Sequence, residues 1–438
     1  MAGGDDIDDP VRPRRQMTAV GLAVAVMLPG VILRIGGGHP PDPVAALLFG
    51  LAIVGAAFLL SWAAEVAQLD ISAGLAIAVL AFIAVLPEYA VDLVFATKGG
   101  HSAAAHHFAS CPAPRGGEES PCSLALANMT GANRLLIGVG WSLVVFLAWR
   151  QWKKRGQPEQ GRQIQLDRSH AVELSYLGAA TAYSLFIALR RSITLVDAGV
   201  LVALFVAYTV RISRAPAEEP HLVGPARWLG TFSVAKRRTT VIALFVFAAG
   251  VIVLCAEHFA EALVGTGRSF GISEFLLVQW LAPLASEAPE LLVAGLYAAR
   301  LNTNNGLGTL VSSKVNQWTL LVGTLPIAFA LASSSSHGLP IDAHQREELF
   351  LTAAQSAFAV AVLVNLSLST REAQMMFGLF AVQFVATAVG PEHIHGDVRI
   401  ITAVIYLVLA AWILWRERAA IRPLLRDGFL TSYEELSA

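Results

Sequence analysis

Two proline–glutamate pairs, Pro87–Glu88 and Pro289–Glu290, lie inside long apolar stretches of the chain. A carboxylate within a membrane span is costly, so each pair indicates a functional role. A proline has no amide hydrogen and leaves a carbonyl four residues earlier without its helical partner. Those carbonyls belong to Ile83 and Ala285. Carboxylate and carbonyl oxygens are the ligands that sodium and calcium prefer, so the two pairs predict a cation-binding site.

Each pair has a second carboxylate on the same face of its helix. Asp92 follows Glu88 by one turn, and Glu287 precedes Glu290 by three residues. Side chains at these spacings are neighbours on a helix surface. The alternative is a kinked helix whose carboxylate is protonated or paired and binds nothing. The same arrangement in two separate helices favours the binding site.

Small polar residues fill the stretch that follows each proline–glutamate helix, at 127–134 and 308–317. Their amide and hydroxyl oxygens could complete a coordination shell, although such stretches also serve as packing contacts between helices. Position after the proline–glutamate helices favours the first interpretation. The additional candidate ligands in these two stretches are Asn128, Asn133, Ser313 and Asn316, and Ser286 of the second proline–glutamate segment is a further candidate.

Two basic residues, Lys314 and Arg134, fall within predicted spans. A fixed ammonium at Lys314 could replace one bound cation and pair with Glu287 or Glu290, and in its neutral form it could take part in proton transfer. Alternatively, Lys314 could extend to the edge of the membrane. Arg134 is a candidate counter-ion to Glu88 or Asp92, or faces a water-filled vestibule.

The elements that position these residues are transmembrane helices. The 438-residue chain is 55% apolar and 14% charged, which is too apolar for an ordinary soluble domain. Crossing the bilayer takes roughly 20 helical residues. The apolar segments lack strand-like alternation, so an all-α integral membrane fold is predicted rather than a barrel. Twelve segments qualify: 17–36, 44–67, 71–97, 121–149, 168–189, 193–212, 239–263, 272–299, 306–334, 348–366, 375–390 and 399–416.

The chain repeats itself. Residues 86–96 align without gaps to 288–298, with the proline, the glutamate, a valine and the last alanine identical. Five predicted spans in each half, an odd number, force the halves into opposite orientations, as in transporters built from inverted repeats. The predicted organisation is a tail at 1–16, a flanking helix at 17–36, repeats at 44–212 and 239–390 joined by a linker at 213–238, a flanking helix at 399–416 and a tail at 417–438.

The distribution of positive charge predicts the topology. Most of the 31 lysines and arginines fall on the side that holds both termini, which the positive-inside rule assigns to the cytoplasm of a multi-pass cell-membrane protein. Cys111 and Cys122 then lie outside, where a disulfide is permitted. Three histidines in that loop allow metal capture as an alternative to a bridged or solvated loop: His101, His106 and His107. Cys255 is interpreted as a core residue.

These motifs resemble the sodium/calcium exchanger family of the calcium/cation antiporter superfamily, of which the chain looks like a divergent, bacterial-type member. That family carries a Gly-Thr-Ser-x-Pro-Glu helix followed by a Gly-Asn-x-x-Gly-Ser-Asn helix in each repeat. The resemblance implies that Glu88 and Glu290 are paired ion ligands, with Asn128 and Asn133 as the first-half amides. The chain departs from the pattern at 83–85 and 285–287, and it has Lys314 in place of an asparagine unless Asn316 takes that position.

The predicted function is therefore secondary active antiport, in which Ca2+ or Na+ is exchanged against H+ or Na+ by alternating access. A cation channel, a transport-inactive scaffold and an intramembrane enzyme are the alternatives. No filter-like repeat supports a channel, and His258 with Glu261 is too little for a metalloenzyme motif. The expected partners are the lipid bilayer and inorganic cations. No cofactor and no nucleic acid are expected, and the oligomeric state stays open, with a monomer acceptable.

Overall fold

A computed structural model describes residues 13–70, 86–108, 110–113, 119–215, 222 and 224–436. Within that part of the chain the structure is helical apart from four strands of two or three residues. The first fifteen residues of the predicted segment 71–97, including Ile83, lie outside the described residues. Nine described helices are long and apolar enough to cross a membrane. The predicted all-α membrane class is confirmed.

The first half contains α1 to α7 and two strands. Its fourth helix is interrupted by a π-helical stretch, Leu136–Trp141. The elements in order are α1 (Pro13–Gly36), α2 (Asp42–Ala67), α3 (Leu86–Ala105), α4 (Pro121–Lys154), β1 (Gln163–Gln165), α5 (Ala171–Ile187), β2 (Ser192–Ile193), α6 (Leu195–Ile212) and α7 (Pro225–Gly230).

The second half contains α8 to α13 and two strands, followed by three C-terminal helices. A second π-helical stretch, Gln317–Leu321, interrupts α11. The elements are α8 (Val234–Phe270), α9 (Glu274–Ser286), α10 (Ala288–Ala299), α11 (Thr303–Ser333), β3 (Leu339–Pro340), α12 (Ala343–Val362), β4 (Ser367–Ser369), α13 (Thr370–Val389), α14 (His395–Arg416), α15 (Arg418–Phe429) and α16 (Tyr433–Leu436).

The predicted span at 272–299 is two helices, because the chain breaks at Glu287. Pro289 supplies the reason, since its ring cannot continue an α-helix and fits the first turn of a new one. Glu287 has φ −87° and ψ −3°, and it separates α9 from α10. The break places Glu287 at the end of one helix and Glu290 in the first turn of the next.

The two halves share the same helix caps and pair through short strands. Thr194 and Asp197 form a capping box at the start of α6, and Ser369 and Glu372 form the same box at the start of α13. Strands β1 and β4 pair antiparallel, as do β2 and β3. Each pair therefore joins the first strand of one half to the second strand of the other. Such reciprocal pairing is the arrangement of two inverted repeats.

The relatively polar helices α4, α11 and α12 are the most enclosed of the long helices, whereas α13, of similar hydropathy, is largely exposed. In α4 the most apolar stretch is 78% buried, whereas in α1 it is 17% buried although it is more apolar. In a soluble protein the most apolar helices are buried. Here the surrounding lipid is apolar, so apolar helices face it and polar helices are buried. Gly131 of α4 permits the closest crossing, because a Cβ there would lie 1.7 Å from the carbonyl oxygen of Gln279 on α9. The polar helix of the first half thus packs directly on the second half.

Candidate cation-binding site

The first half contributes a buried carboxylate pair on α3. Glu88 and Asp92 are almost fully buried. The Asn128 side chain of α4 donates from Nδ2 to Asp92 Oδ1 at 2.7 Å. Three of the predicted ligands are therefore gathered between α3 and α4. The hydrogen bond leaves one Asp92 oxygen and the Asn128 amide oxygen without a donor.

The second half contributes carboxylates on both sides of the α9–α10 break. Glu287 is fully buried, and Gln317 Nε2 of α11 donates to its Oε1 at 2.7 Å. Glu287 interacts electrostatically with Glu88 and with Glu290, which is partly buried. Ser286 lies beside Glu88, and its hydroxyl donates to carbonyls in the preceding turn of α9. The carboxylates of the two halves thus meet in one region.

Acceptor oxygens without a hydrogen-bond donor are concentrated in this region. A buried oxygen without a partner is costly, and carboxylate and amide oxygens are the ligands that Ca2+ prefers. Among the residues that the structure describes, no three acidic, histidine or cysteine groups converge into a single ligand shell. The oxygens therefore line a common region and do not form a closed cage: Glu88 Oε2, Asp92 Oδ2, Asn128 Oδ1, Glu287 Oε2, Glu290 Oε2 and Gln317 Oε1. Asn316 Oδ1, on the preceding residue of α11, is likewise buried without a donor.

Lys314 is inside the protein and does not extend to the membrane edge. Its side chain is fully buried, and Nζ lies 4.6 Å from the ring centroid of Trp318. Nζ donates to the backbone carbonyl of Asn133 at 3.1 Å and to Asn133 Oδ1 at 2.6 Å. Asn133 Nδ2 in turn donates to the Met129 carbonyl. The amide of Asn133 is thus engaged by Lys314, whereas the resemblance implies that it is an ion ligand.

The π-helical stretches fix the local register of the repeat. The sequence separation between the starts of these stretches, Leu136 and Gln317, equals that between Asn133 and Lys314. This register places Lys314 opposite Asn133, and it disfavours the alternative in which Asn316 does so. Lys314 and Asn133 therefore occupy equivalent positions in the two halves and contact each other between them. Lys314 also interacts electrostatically with Glu287, although its hydrogen bonds go to Asn133.

Arg134 does not pair with Glu88 or Asp92, and it does not face a vestibule. It is almost fully buried, and its Nη2 lies 3.0 Å from Glu348 Oε2 of α12. The central carbon of the guanidinium, Cζ, also lies 4.8 Å from the ring centroid of Trp280. The predicted counter-ion role at the carboxylate site is wrong, because α4 turns this side chain towards α12.

Several polar partners were missed in the sequence. Gln317 directly follows the candidate Asn316, and Glu348 and Glu173 are carboxylates within predicted spans, so the cost of intramembrane charge could have revealed both glutamates. Ser313, a predicted ligand, is buried on α11, and no hydrogen bond joins it to a described carboxylate.

Cys111 and Cys122 form a disulfide. Cys255 is buried and unbridged, as expected for a core residue. Among the histidines of the neighbouring loop, His106 Nδ1 lies 2.8 Å from the Ser102 carbonyl. In the described part of this loop no metal-ligand group is formed, so metal capture finds no support there.

Comparison with known proteins agrees with this architecture. The sequence pattern of a family described as sodium/calcium exchanger protein matches residues 43–213 and 240–389. A crystal structure described as the H+/Ca2+ exchanger CAX is 40% identical, covers 97% of this chain and 99% of its own, and superposes with a TM-score of 0.85. The structure of native YfkE is 14% identical, with a TM-score of 0.57 over 89% of this chain and 99% of its own, which shows the fold alone. A comparison with curated proteins found no match.

The match covers most of both predicted repeats, and the fold is that of solved exchangers with an inverted-repeat architecture. Exchange is therefore favoured over the channel, scaffold and enzyme alternatives. The chain belongs to the sodium/calcium exchanger family and is a multi-pass secondary active cation antiporter, not an enzyme.

Proposed function

We propose that this antiporter exchanges Ca2+ for H+, and that both use the carboxylates where the two halves meet. The observation that carries the proposal is the juxtaposition of Glu88 from the first half with Glu287 and Glu290 from the second, all with an oxygen lacking a donor. The same carboxylates can hold a divalent ion when ionised or protons when neutral, but not both. The 40% identity to a protein described as an H+/Ca2+ exchanger supports this pair of substrates.

In this proposal the ligands come from both halves. Asp92 and Asn128 complete the first half, and Asn316 and Gln317 offer amide oxygens from the second. Ser286 acts by positioning Glu88 rather than by binding the ion. A rocking motion of one half against the other then exposes the shared carboxylates to each side of the membrane in turn.

Lys314 acts as a resident positive charge in this scheme. Its contacts with Asn133 hold the polar helices of the two halves together, and its ammonium offsets part of the carboxylate charge. A site with a fixed ammonium has fewer negative charges left to balance by bound ions. This favours one divalent ion per cycle over a set of several cations.

The proposed location is the cell membrane with both termini in the cytoplasm. The distribution of lysine and arginine supports this orientation. The Cys111–Cys122 disulfide supports it too, because disulfides persist on the oxidising side of a membrane. Labelling of a cysteine introduced at Ser432 with a membrane-impermeant thiol reagent tests it. Labelling in intact cells would place the C terminus outside and contradict the orientation.

Flux measurements in proteoliposomes test the substrates. We expect Ca2+ uptake driven by an outward proton gradient, with opposite movement of protons, and little response to a sodium gradient of the same size. Glu290→Gln should abolish this uptake, because one shared carboxylate can then no longer ionise. Uptake driven by sodium and independent of the pH gradient would contradict proton exchange. Full activity of Glu290→Gln would contradict the assigned site.

A further inference from the structure

Besides the central carboxylates, each half places one buried glutamate at the same position of the repeat. The matching capping boxes at the starts of α6 and α13 define the register of this part of the repeat. The sequence separation between these boxes equals that between Glu173 and Glu348. In each case the glutamate interacts with the polar helix of the other half. Glu348 contacts Arg134 of α4, and Glu173 Oε1 accepts a hydrogen bond from Ser312 Oγ of α11 at 3.4 Å.

Because the halves are inverted, the two glutamates lie towards opposite faces of the membrane. Glu348 lies beside the disulfide loop, since its neighbour His344 interacts with Glu119. Glu173 lies beside the C-terminal helices, since it interacts electrostatically with Tyr433 of α16. The α5 helix that carries Glu173 also contacts α15, where Ser175 donates to the Leu424 carbonyl.

The two glutamates have different electrostatic surroundings. Glu348 is compensated by Arg134 at 3.0 Å and by Arg399 at 3.6 Å, and Gln279 Nε2 donates to it at 2.9 Å. Glu173 has no arginine or lysine within ion-pair distance among the described residues. Its ionisable neighbour is His170, whose Nδ1 lies 3.6 Å from Oε1. The second oxygen, Glu173 Oε2, is buried without a hydrogen-bond donor, although the residue is only 5% exposed.

Polar side chains of α11 continue from the Glu173 contact towards the level of the central site. Ser312 and Asn316 are one helical turn apart on α11, so their side chains lie on the same face. Asn316 Oδ1 is buried without a donor and adjoins Gln317, which contacts the central Glu287. Carboxylate, hydroxyl and amide oxygens succeed one another in this direction. Such groups replace the hydration of a hard divalent cation.

We propose that Glu173 and Ser312 form a peripheral binding station for the transported divalent cation on the face that carries the C-terminal helices, and that Asn316 lies between this station and the central site. The proposal rests on the proposed Ca2+ transport and adds an asymmetry to it. On the other face Arg134 contacts Glu348, so its positive charge prevents Glu348 from serving a cation in the same way. Tyr208, Tyr433 and His170 lie beside Glu173, and Tyr176 and Arg211 lie beside Tyr433.

A peripheral ligand speeds arrival and release equally and leaves the affinity of the central site unchanged. Glu173→Gln keeps the shape of the side chain and removes its charge. We expect kcat/KM for Ca2+ to fall about tenfold on the face with the C-terminal helices and to stay constant on the opposite face. Equilibrium binding of Ca2+ to the purified protein should change less than about twofold. Right-side-out and inside-out membrane vesicles separate the two faces.

Two further variants keep the test decisive. Glu173→Asp retains the charge and should restore at least half of the lost kcat/KM. Glu435→Gln removes an exposed carboxylate on the same face and should change neither face. Equal losses on both faces, loss of equilibrium binding, or no effect of Glu173→Gln would overturn the peripheral station. Failure of the wild-type protein to transport Ca2+ would instead contradict the proposed function.

Discussion

The buried ion pair between Arg134 and Glu348 leads to a prediction that stability measurements can test. Their charged atoms are 3.0 Å apart, and the side chains are 1% and 4% exposed. At an effective dielectric constant of about 20, charges at this distance attract by about 5 kcal/mol. Desolvation of both groups offsets much of that attraction, so the pair itself adds little net stability. Removal of one partner is different, because it leaves the other charge buried alone.

The two single substitutions should not cost the same. Among the residues that the structure describes, Glu348→Gln leaves the Arg134 guanidinium with the Gln383 side chain at 3.5 Å and the Trp280 ring but without a carboxylate partner, so we expect it to lower the free energy of unfolding by about 3–5 kcal/mol. Arg134→Met leaves Glu348 with Arg399 and His344 nearby, so its cost should be smaller, about 2–3 kcal/mol. The double variant should cost less than the sum by at least about 2 kcal/mol.

Equilibrium unfolding in mixed micelles, followed by tryptophan fluorescence, measures all four proteins. The coupling free energy from this double-mutant cycle is the deciding quantity. Single costs that add within about 0.5 kcal/mol would refute the buried pair. A larger cost for Arg134→Met than for Glu348→Gln would refute the assignment of Arg399 and His344 as the remaining partners.

Three further predictions concern packing, pH and charge. Gly131→Ala should destabilise the protein by about 1–3 kcal/mol and reduce transport, since the new methyl would lie 1.7 Å from a carbonyl of α9. The hydrogen-bonded Arg168 guanidinium lowers the pKa of Asp427 below 3.8, so docking of α15, followed by hydrogen exchange, should stay constant from pH 8 to 5 and weaken only below pH 3.8. Lys314→Met should raise equilibrium Ca2+ affinity at least about tenfold, because the carboxylates lose a neighbouring positive charge.

Each of these has its own control or contrary outcome. Gly378→Ala adds the same methyl where nothing lies within 4 Å, so it should leave stability and transport unchanged. The pKa of Asp427 is lower in the folded protein than in the unfolded chain. The ionised carboxylate therefore stabilises docking of α15 at pH values above the unfolded pKa, and this stabilisation is lost as pH falls through the folded pKa. Release of α15 near pH 6 would therefore contradict the role of the ion pair. Unchanged or weaker Ca2+ binding by Lys314→Met would show that the ammonium does not act on the carboxylates.

The helical class and the inverted repeat could be predicted from the sequence, and so could the presence of carboxylates inside the spans, because the bilayer makes each of these features conspicuous. An apolar run of about 20 residues and a buried charge have few alternative interpretations. The partners of the charges could not be predicted in the same way. Arg134 lies close in sequence to Asn128, yet its partner Glu348 is on α12. The direction in which a helix turns a side chain depends on its packing, which the local sequence does not specify.

The break at Glu287 is a second feature that the sequence predicted only in part. Pro289 predicted a disturbed helix, and the structure contains two helices with Glu287 between them. The position of Lys314 depended on the repeat register, which two polar stretches of different composition left open. The starts of the two π-helical stretches favour the register that pairs Lys314 with Asn133.

The reciprocal strand pairs have a consequence for biogenesis. Strands β1 and β2 emerge from the ribosome with the first half, but their partners β4 and β3 are made only with the second. Until then the first half carries an open strand edge towards each face of the membrane, which other chains could pair with. Assembly of the exchanger therefore ends with a late docking step between halves, and a truncated first half should be prone to aggregation and degradation.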